Sequence, residues 1–590
     1  MRIRAIFRGI LKSLYNNGFW GTLKKIVQRV ARKICKRKTL HYKLSRREWR
    51  RQDTYVFPRD VKISILVPLY NTPETFIIEL LASVKSQTYK NWELCLTDGS
   101  DEAHNYVERI CRLAVKTDRR IVYYKLEQNL GISENTNRCI QISSGDYLGL
   151  LDHDDLLHPA ALFEVMKAIC VQDADFIYTD ENTFRRNPKD AFCPNYKPDF
   201  APDMLRSQNY ICHFTVFARS LLERVGLFYS RFNGSQDYDM VLRLTEAARC
   251  IVHIPKVLYY WRASENSVAT DVSIKAYAIE AAKAALTEHL KRSGLNGTVE
   301  DARIPSTYRI RYKISDEPLV SIMIPNKDHL GDLKRCINSI QSLTTYQNYE
   351  VVIVENGSEE EETFHYYEQL RQNGNIHIVV WKGKFNFSAI NNFGLQYTRG
   401  EYIVLLNNDI TVITPDWLQE MLMFAQRRDI GAVGAMLYYP DDTVQHAGVI
   451  LGLGGVAGHS HKNFKRGEVG FMYRATIAQN LSAVTAACMM IPRRVYKQIN
   501  GFDEKFEVAF NDVDMCMRIR QMGYLIVFTP YAELYHSESK SRGYEDTVEK
   551  RKRFEGEVLR FKTRWAAELE AGDPYYNPNL TLDAEDFSAR

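Results

Sequence analysis

The chain has 590 residues, 45% of them hydrophobic and 25% charged, with 78 Lys/Arg against 72 Asp/Glu. That is the profile of a folded protein with two or three cores. No run of about 18 apolar residues occurs, which argues against a spanning helix. The N-terminus lacks the apolar stretch and small-residue cleavage site of a secretory signal. The 11 Cys never form a CxxC pair, so thiol-based zinc and redox motifs are absent and a reducing, cytoplasmic setting is expected.

Residues 1–52 hold 17 of the Lys/Arg and a single acid, Glu48, leaving 61 basic and 71 acidic residues in the remainder. A basic head on an acidic body argues against nucleic acid as a partner and for a surface anchor. Within the head, apolar residues and Trp20 interleave with Lys/Arg at roughly helical spacing. Residues 1–50 are therefore expected to make peripheral contact with anionic membrane, the plainer alternative being a solvated or partner-bound basic helix.

Downstream, "KISILVPLY" reads as a buried strand, with Thr72 capping a helix whose first residue is Pro73. "NWELCLTDGS" and "RRIVYYKL" read as strands, "ISENTNRCIQIS" as a helix, "DYLGLLDHDD" as a strand and "PAALFEVMKAIC" as a helix begun by Pro159. This alternation implies a mainly parallel sheet with helices on both faces, whose ligands bind beyond the carboxyl ends of the strands. Asp98, Asp152 and Asp154 all fall at strand ends and should meet on one rim.

The pattern then repeats. "ISILVPLYN" around Pro68 returns as "VSIMIPNKD" around Pro325, and "LCLTDGSD" with Asp98 returns as "VVIVENGSE" with Glu355, both 257 residues on. "GDYLGLLDHDD" returns as "GEYIVLLNND" at an offset of 255, and "GSQDYDMVLRL" with Asp237 as "FNDVDMCMRIR" with Asp512 at 275. Tandem homologous domains are expected over 60–265 and 318–545. A helical linker at 266–317 separates them, and a helix with an extended tail fills 546–590.

Carboxylates two residues apart at a strand end suit Mg²⁺ or Mn²⁺, which take oxygen ligands and are completed by substrate phosphates. Acid-rich strand ends also cap helices and open turns, so the motif alone leaves both readings open. Asp98, ending the second strand, can accept a hydrogen bond from a nucleobase or ribose.

"SILVPLYNT", "QTYKNWELCLTDGS", "GDYLGLLDHDD", "YTDEN" and "GSQDYDMVLR" together resemble an inverting glycosyltransferase of family 2, with the GT-A fold. "FNDVDMCMRIRQMGYLIVFTPYAELYHSESKSRG" resembles a second domain of the same kind. The whole resembles bacterial two-domain enzymes of O-antigen and cell-surface polysaccharide synthesis, several of them rhamnosyltransferase-like. The resemblance covers nearly all of residues 55–580 and implies two tandem α/β, Rossmann-like GT-A domains. It assigns Pro68, Tyr70, Asp98, Pro325 and Glu355 to nucleotide binding. Asp152, Asp154, Asp409 and His536 fall to a divalent cation, Mg²⁺ or Mn²⁺, with Asp154 in register with Asp409. Asp237 and Asp512 become the general bases that deprotonate the acceptor hydroxyl. The donor would be a dTDP-, UDP- or GDP-sugar and the acceptor a glycan, lipid-linked at the inner face of the cell membrane. His446, His459 and His461 resemble an acceptor-side loop, a zinc site being the weaker alternative because no Cys or acid pairs with them.

Two departures stand out. Tyr260 occupies the position of His536 in the first copy, and Asn407 replaces the first acid of the second. Both copies active, one copy reduced to an acceptor-binding module, and a non-enzymatic glycan- or nucleotide-binding scaffold are the three readings that follow.

Overall fold

The computed structural model describes residues 44–263, 272–537 and 547–590, so most of the basic head, residues 1–43, lies outside the described residues. Its end, Arg46–Asp53, is a helix started by a capping box in which Ser45 and Glu48 exchange hydrogen bonds. Gln52 is buried there and accepts from the Thr88 hydroxyl at 3.0 Å, docking the helix on the body. Among the described residues no helix is long and apolar enough to cross a membrane.

The first sheet contains β1 (Ile63–Leu69), β2 (Trp92–Asp98), β3 (Ile121–Lys125), β4 (Tyr147–Leu150), β5 (Leu156–Leu157), β6 (Phe176–Phe184), β7 (Cys193–Asn195), β8 (Thr215–Ala218) and β9 (Ile251–Arg262). Their order is β3-β2-β1-β4-β8-β6-β9-β5, with β7 on β6. Next come a helix, Val272–Arg292, and an antiparallel ribbon of β10 (Gly297–Asp301) and β11 (Tyr308–Tyr312). The second sheet is built from β12 (Val320–Asn326), β13 (Tyr349–Glu355), β14 (Ile376–Val380), β15 (Tyr402–Leu406), β16 (Ile410–Val412), β17 (Ile430–Tyr438) and β18 (Val444–His446). A small ribbon of β19 (Val449–Leu451) and β20 (Ala457–His459) interrupts it, and β21 (Gln479–Leu481), β22 (Cys488–Pro492) and β23 (Leu525–His536) complete it. Its order is β14-β13-β12-β15-β22-β17-β23-β16, the first sheet over again, with β18 on β17 and β21 on β23.

Two α/β units of one topology in tandem are thus what the chain forms. In each sheet the first four strands in spatial order run parallel, and beyond them come two antiparallel pairs, one parallel pair and a last antiparallel pair. The repeat extends to single hydrogen bonds. Ser64 Oγ donates to Glu93 Oε1 (2.6 Å) and accepts from Gly145 N (2.8 Å). Ser321 Oγ donates to Glu350 Oε1 (2.7 Å) and accepts from Gly400 N (2.8 Å). A Cβ on Gly145 would lie 2.5 Å from that serine oxygen, and one on Gly400 would lie 2.6 Å from Leu319 O, which is why glycine opens both acidic motifs.

Three details differ from the sequence reading. Thr72 does not cap the helix Glu74–Lys85, whose N-cap is Pro73 without a side-chain bond; the Thr72 hydroxyl instead meets His153 Nδ1 at 2.5 Å. The helix expected from Pro159 begins at Ala161. The linker is not wholly helical, because "YRIRY" alternates buried and half-buried residues and pairs as a strand.

The units share one apolar core and a buried ion pair. Asp203, in the short helix Pro202–Ser207, faces the Arg427 guanidinium, accepts from Asn480 Nδ2 (2.8 Å) and pairs with Arg206 (3.1 Å). Burial by itself would raise the Asp203 carboxyl, but Arg427 and then Arg206 outweigh it and hold it at about 2. The tail adds a second tie. Asp573 accepts from Leu451 N and Ser482 Oγ (2.8 and 2.6 Å) in the second unit. Asn577 donates to Asp180 and to Lys197 O (2.9 and 2.8 Å) in the first.

Removing one partner of a buried pair strands the other charge, so Arg427→Met is expected to cost about 3–5 kcal/mol. The carboxyl is depressed by folding, so the pair stabilises fully above its unfolded pKa of roughly 3.9. That contribution is lost as pH falls toward about 2. Thermal unfolding of wild type and variant should therefore differ most at neutral pH and converge in acid. A gap that persists unchanged to pH 2 would contradict this.

Candidate functional site

In the second unit the strand ends open on a cleft of about 770 Å³, lined among others by Pro325, Asn326, Asp409, Thr485, Asp512 and His536. Four of the five residues singled out from this half of the sequence therefore converge. Asp409 follows β15 and His536 ends β23, and their side chains are 5% and 9% exposed. His536 Nδ1 faces Gln445 Oε1 at 2.8 Å. With that N–H donated, a neutral ring turns its lone-pair nitrogen, Nε2, toward Asp409 Oδ1 at 3.2 Å and Asn407 Nδ2 at 3.1 Å. An imidazole oriented through its far nitrogen, beside a carboxylate, is a donor set that fits a divalent cation. Among the described residues no three His, Cys, Asp or Glu group to hold a metal. A cation here would draw its remaining ligands from phosphate oxygens and water, as Mg²⁺ and Mn²⁺ do.

Asp512 opens the helix Asn511–Gln521, and its carboxylate accepts from Ala486 N (3.2 Å) and Val513 N (2.9 Å). Asp514, two residues on, is committed elsewhere: it is buried, pairs with Arg518 (2.8 Å) and accepts from Trp565 Nε1 (3.1 Å). The first unit divides the work identically. Asp239 is locked by Arg243 (2.6 Å), while Asp237 opens the helix Gln236–Ala247 and accepts from Asn209 Nδ2 (3.0 Å). Desolvation pushes the Asp237 carboxyl above the usual range, with nearby His213 opposing the rise and Asp152 adding to it. In each motif the first acid is available to a substrate and the second holds the helix.

The nucleotide-side residues are less free. Asp98 is fully buried and accepts from Ser100 N (2.8 Å), Tyr123 Oη (2.8 Å) and Lys125 (3.3 Å). Glu355, its counterpart, accepts from Ser358 through N and Oγ (2.5 and 2.6 Å) and from Tyr367 Oη (2.6 Å). Pro68 sits in β1, opposite Thr97, and Tyr70 is exposed just past the strand end.

The acidic run of the first unit resolves into distinct roles. Asp155 is buried and accepts from Tyr259 Oη (2.6 Å) and Arg262 N (2.7 Å), a structural pairing. Burial raises the Asp154 carboxyl, with Asp152 adding to it against His153. Asp152 is the open one, its side chain 51% exposed. Counted forward from β4 and β15, Asp154 stands in the place of Asp409. Counted back from β5 and β16, where Leu156 faces Tyr260 and Ile410 faces His536, Asp155 does, because the first unit has one more residue between these strands.

Sequence reasoning did not single out His213 or Asn209. His213 leads into β8, stacks on Tyr259 with ring centroids 4.8 Å apart, and places Nε2 3.9 Å from Asp152 Oδ2. As one His beside an apolar run it gives no local signal; only the cross-strand register brings it to the site. His446 and His459 face one another through their Nδ1 atoms at 2.8 Å, and His461 is buried against Phe587.

The model of the family "Glycosyl transferase family 2" matches residues 64–226 and 321–499. The chain belongs to this family, with one match in each sheet unit. The matched stretches include Asp98, Asp152, His213, Glu355 and Asp409, and end before Asp237, Asp512 and His536. Two relatives align along most of the chain. The uncharacterized protein y4gI of Sinorhizobium fredii is 44% identical, over 89% of this chain and 58% of its own length. The O-antigen biosynthesis protein RfbC of Myxococcus xanthus is 37% identical, over 90% of this chain and 41% of its own. The hyaluronan synthase of Pasteurella multocida is 25% identical over 62% of this chain and 34% of its length. The chain thus spans well under two thirds of these relatives. Among solved structures, the mannosyltransferase PcManGT from Pyrobaculum calidifontis, in complex with GDP-Man and Mn²⁺, matches with a TM-score of 0.33 and 16% identity. That match covers 45% of this chain and 68% of the other.

Proposed function

We propose that the chain is an inverting glycosyltransferase with two active sites, one in each of the domains 60–265 and 318–545. It moves sugars from dTDP-, UDP- or GDP-sugar donors onto a lipid-linked cell-surface glycan at the inner face of the membrane. The observation that carries the reading is the recurrence of one arrangement, an acid past the end of the fourth strand and a carboxylate without an arginine partner at the start of a helix, which in the second unit line one cleft. Membership of the family and the O-antigen relative support the substrate class. The basic residues 1–50 supply the membrane contact.

Asp237 or Asp512 takes the proton of the acceptor hydroxyl as that oxygen attacks the anomeric carbon, on the face opposite the diphosphate, and configuration inverts. Each carboxylate is aimed by neighbours rather than neutralised: Asn209 donates to Asp237, and the Ala486 and Val513 amides to Asp512. Asp152 and Asp154 on one side, and Asp409 and His536 on the other, would hold a divalent cation. That cation supplies positive charge for the departing diphosphate. Pro68, Tyr70 and Asp98, with Pro325 and Glu355, form the nucleotide end of each site.

Loss of a general base costs about 10²–10⁴-fold. Asp237→Asn and Asp512→Asn, assayed separately on a panel of donors with product NMR, should each abolish one transfer with inversion retained in the other. Loss confined to one variant supports a single catalytic domain with an acceptor-binding partner, and full activity in both overturns the proposal. The raised Asp237 carboxyl gives a further expectation. A base must be ionised, so with Asp512→Asn silencing the second site, the acid limb of the remaining activity should lie above the usual carboxylate range. A limb at or below an ordinary aspartate value would contradict it.

A further inference from the structure

The two units do not carry their imidazole on the same strand. In the antiparallel ladder of β4 and β8, Tyr147 faces Ala218 and Gly149 faces Val216, which sets Asp152 opposite His213 just past the last pair. In β15 and β22, Tyr402 faces Pro492 and Leu406 faces Cys488, which sets Asn407 opposite Ala487. His213 thus stands where the second unit has Ala487, a lining residue of its cleft. Conversely, His536 faces Ile410 at the position where the first unit has Tyr260, facing Leu156 and buried in an apolar cluster. The first unit keeps an acid at the position of 409 and adds one beside the ring. The second unit pairs Asp409 with His536 and has Asn at 407, while the first pairs Asp152, at the position of 407, with His213.

We infer that His213 and Asp152 are the pair that faces the divalent cation in the first site, doing from β8 what His536 and Asp409 do from β23. This rests on the proposed transfer reaction and fixes which residues of the first site meet the metal. Ligands at about 2.0–2.2 Å from one metal lie roughly 3–4 Å from each other, and Nε2 of His213 is 3.9 Å from Asp152 Oδ2. The ring is held for the task. It stacks on Tyr259 at an interplanar angle of 13°. Its carbonyl oxygen accepts from the buried Lys197 ammonium, which also donates to Ile211 O (2.7 Å) and pairs with Glu181 (3.1 Å). Tyr260 contributes no donor, since burial pushes its phenol further from ionisation. A sequence alignment of the two copies alone reads the first site as lacking its imidazole, whereas the sheet supplies one from the opposite side.

The test uses the full chain carrying Asp409→Asn, so that the first site dominates, and titrates Mn²⁺ in the presence of inorganic pyrophosphate by electron paramagnetic resonance. His213→Ala removes the ring; His213→Phe keeps the stack on Tyr259 and removes the nitrogen. Both should weaken Mn²⁺ at least tenfold, and so should Asp152→Asn. Both should also narrow the preference for Mn²⁺ over Mg²⁺, because an imidazole favours the transition metal. If Asp152→Asn weakens Mn²⁺ while His213→Phe binds it as tightly as the parent, the role of His213 is overturned and the transfer reading stands. If Asp152→Asn itself changes nothing, the pair is overturned, together with the cation site of the proposed reaction.

Discussion

A parallel sheet brings the amino ends of its strands to one edge and the carboxyl ends to the other, and this protein saturates an acid at the amino edge of each sheet while leaving some of those at the carboxyl edge open. At the amino edge Glu93 is saturated, by Lys62 (2.5 Å), Ser64 Oγ and the Ser144 amide and hydroxyl. Burial would raise its carboxyl, but Lys62 and the serines bring it to about 2. Glu350 repeats the arrangement with Ser321 and Arg399 and is likewise lowered. At the carboxyl edge Asp152 is half exposed, and Asp237 and Asp512 are steered by an amide side chain and by backbone amides. Acids that are fully satisfied hold the fold, and acids left open can meet a ligand.

The same division runs through the helix motifs. Asp239 and Asp514 pair within their helices with Arg243 and Arg518, which in turn donate to Val225 O and Leu227 O and to Ile499 O, so each helix start is fixed and so is the direction of the preceding acid. Between the units, the Asp203–Arg427 pair and the tail tie the two sheets together. Asp573 binds one unit and Asn577 the other, and Asp180, which Asn577 engages, also receives His253 Nε2 at 2.9 Å. The tail therefore completes both units, and "GDPYYNPNL" carries that role in its polar residues.

Much of this was legible in the chain. Strand identities, the tandem repeat and the glycines opening the acidic motifs follow from local patterns, since apolar runs and a constant offset need no tertiary information. Asp409, Asp512 and His536 were also readable, because the motif that surrounds each is local to one strand end or helix start. The hidden features depend on pairing across large sequence distances. His213 acquires meaning only opposite Asp152, and the repeat offset drifts from 255 at the acidic motif to 275 at the base helix, which obscures that register. The commitment of Asp155 to Tyr259 and Arg262 is likewise a contact over about a hundred residues. Thr72 shows the converse: a sound local capping signal was overridden by His153 from another loop.

An imidazole carried on a different strand in each unit, with an acid beside it, accounts for acidic motifs that differ while their sheets do not. The central claim is that both carboxyl edges, despite different side chains, hold a cation against a diphosphate. Crystals of the full chain soaked with Mn²⁺ and UDP, measured at the manganese edge, test it directly. Two anomalous peaks are expected, one at bonding distance from Asp152 and one from Asp409, each beside a diphosphate. Diphosphate density in both clefts with no manganese at either carboxylate would contradict the account.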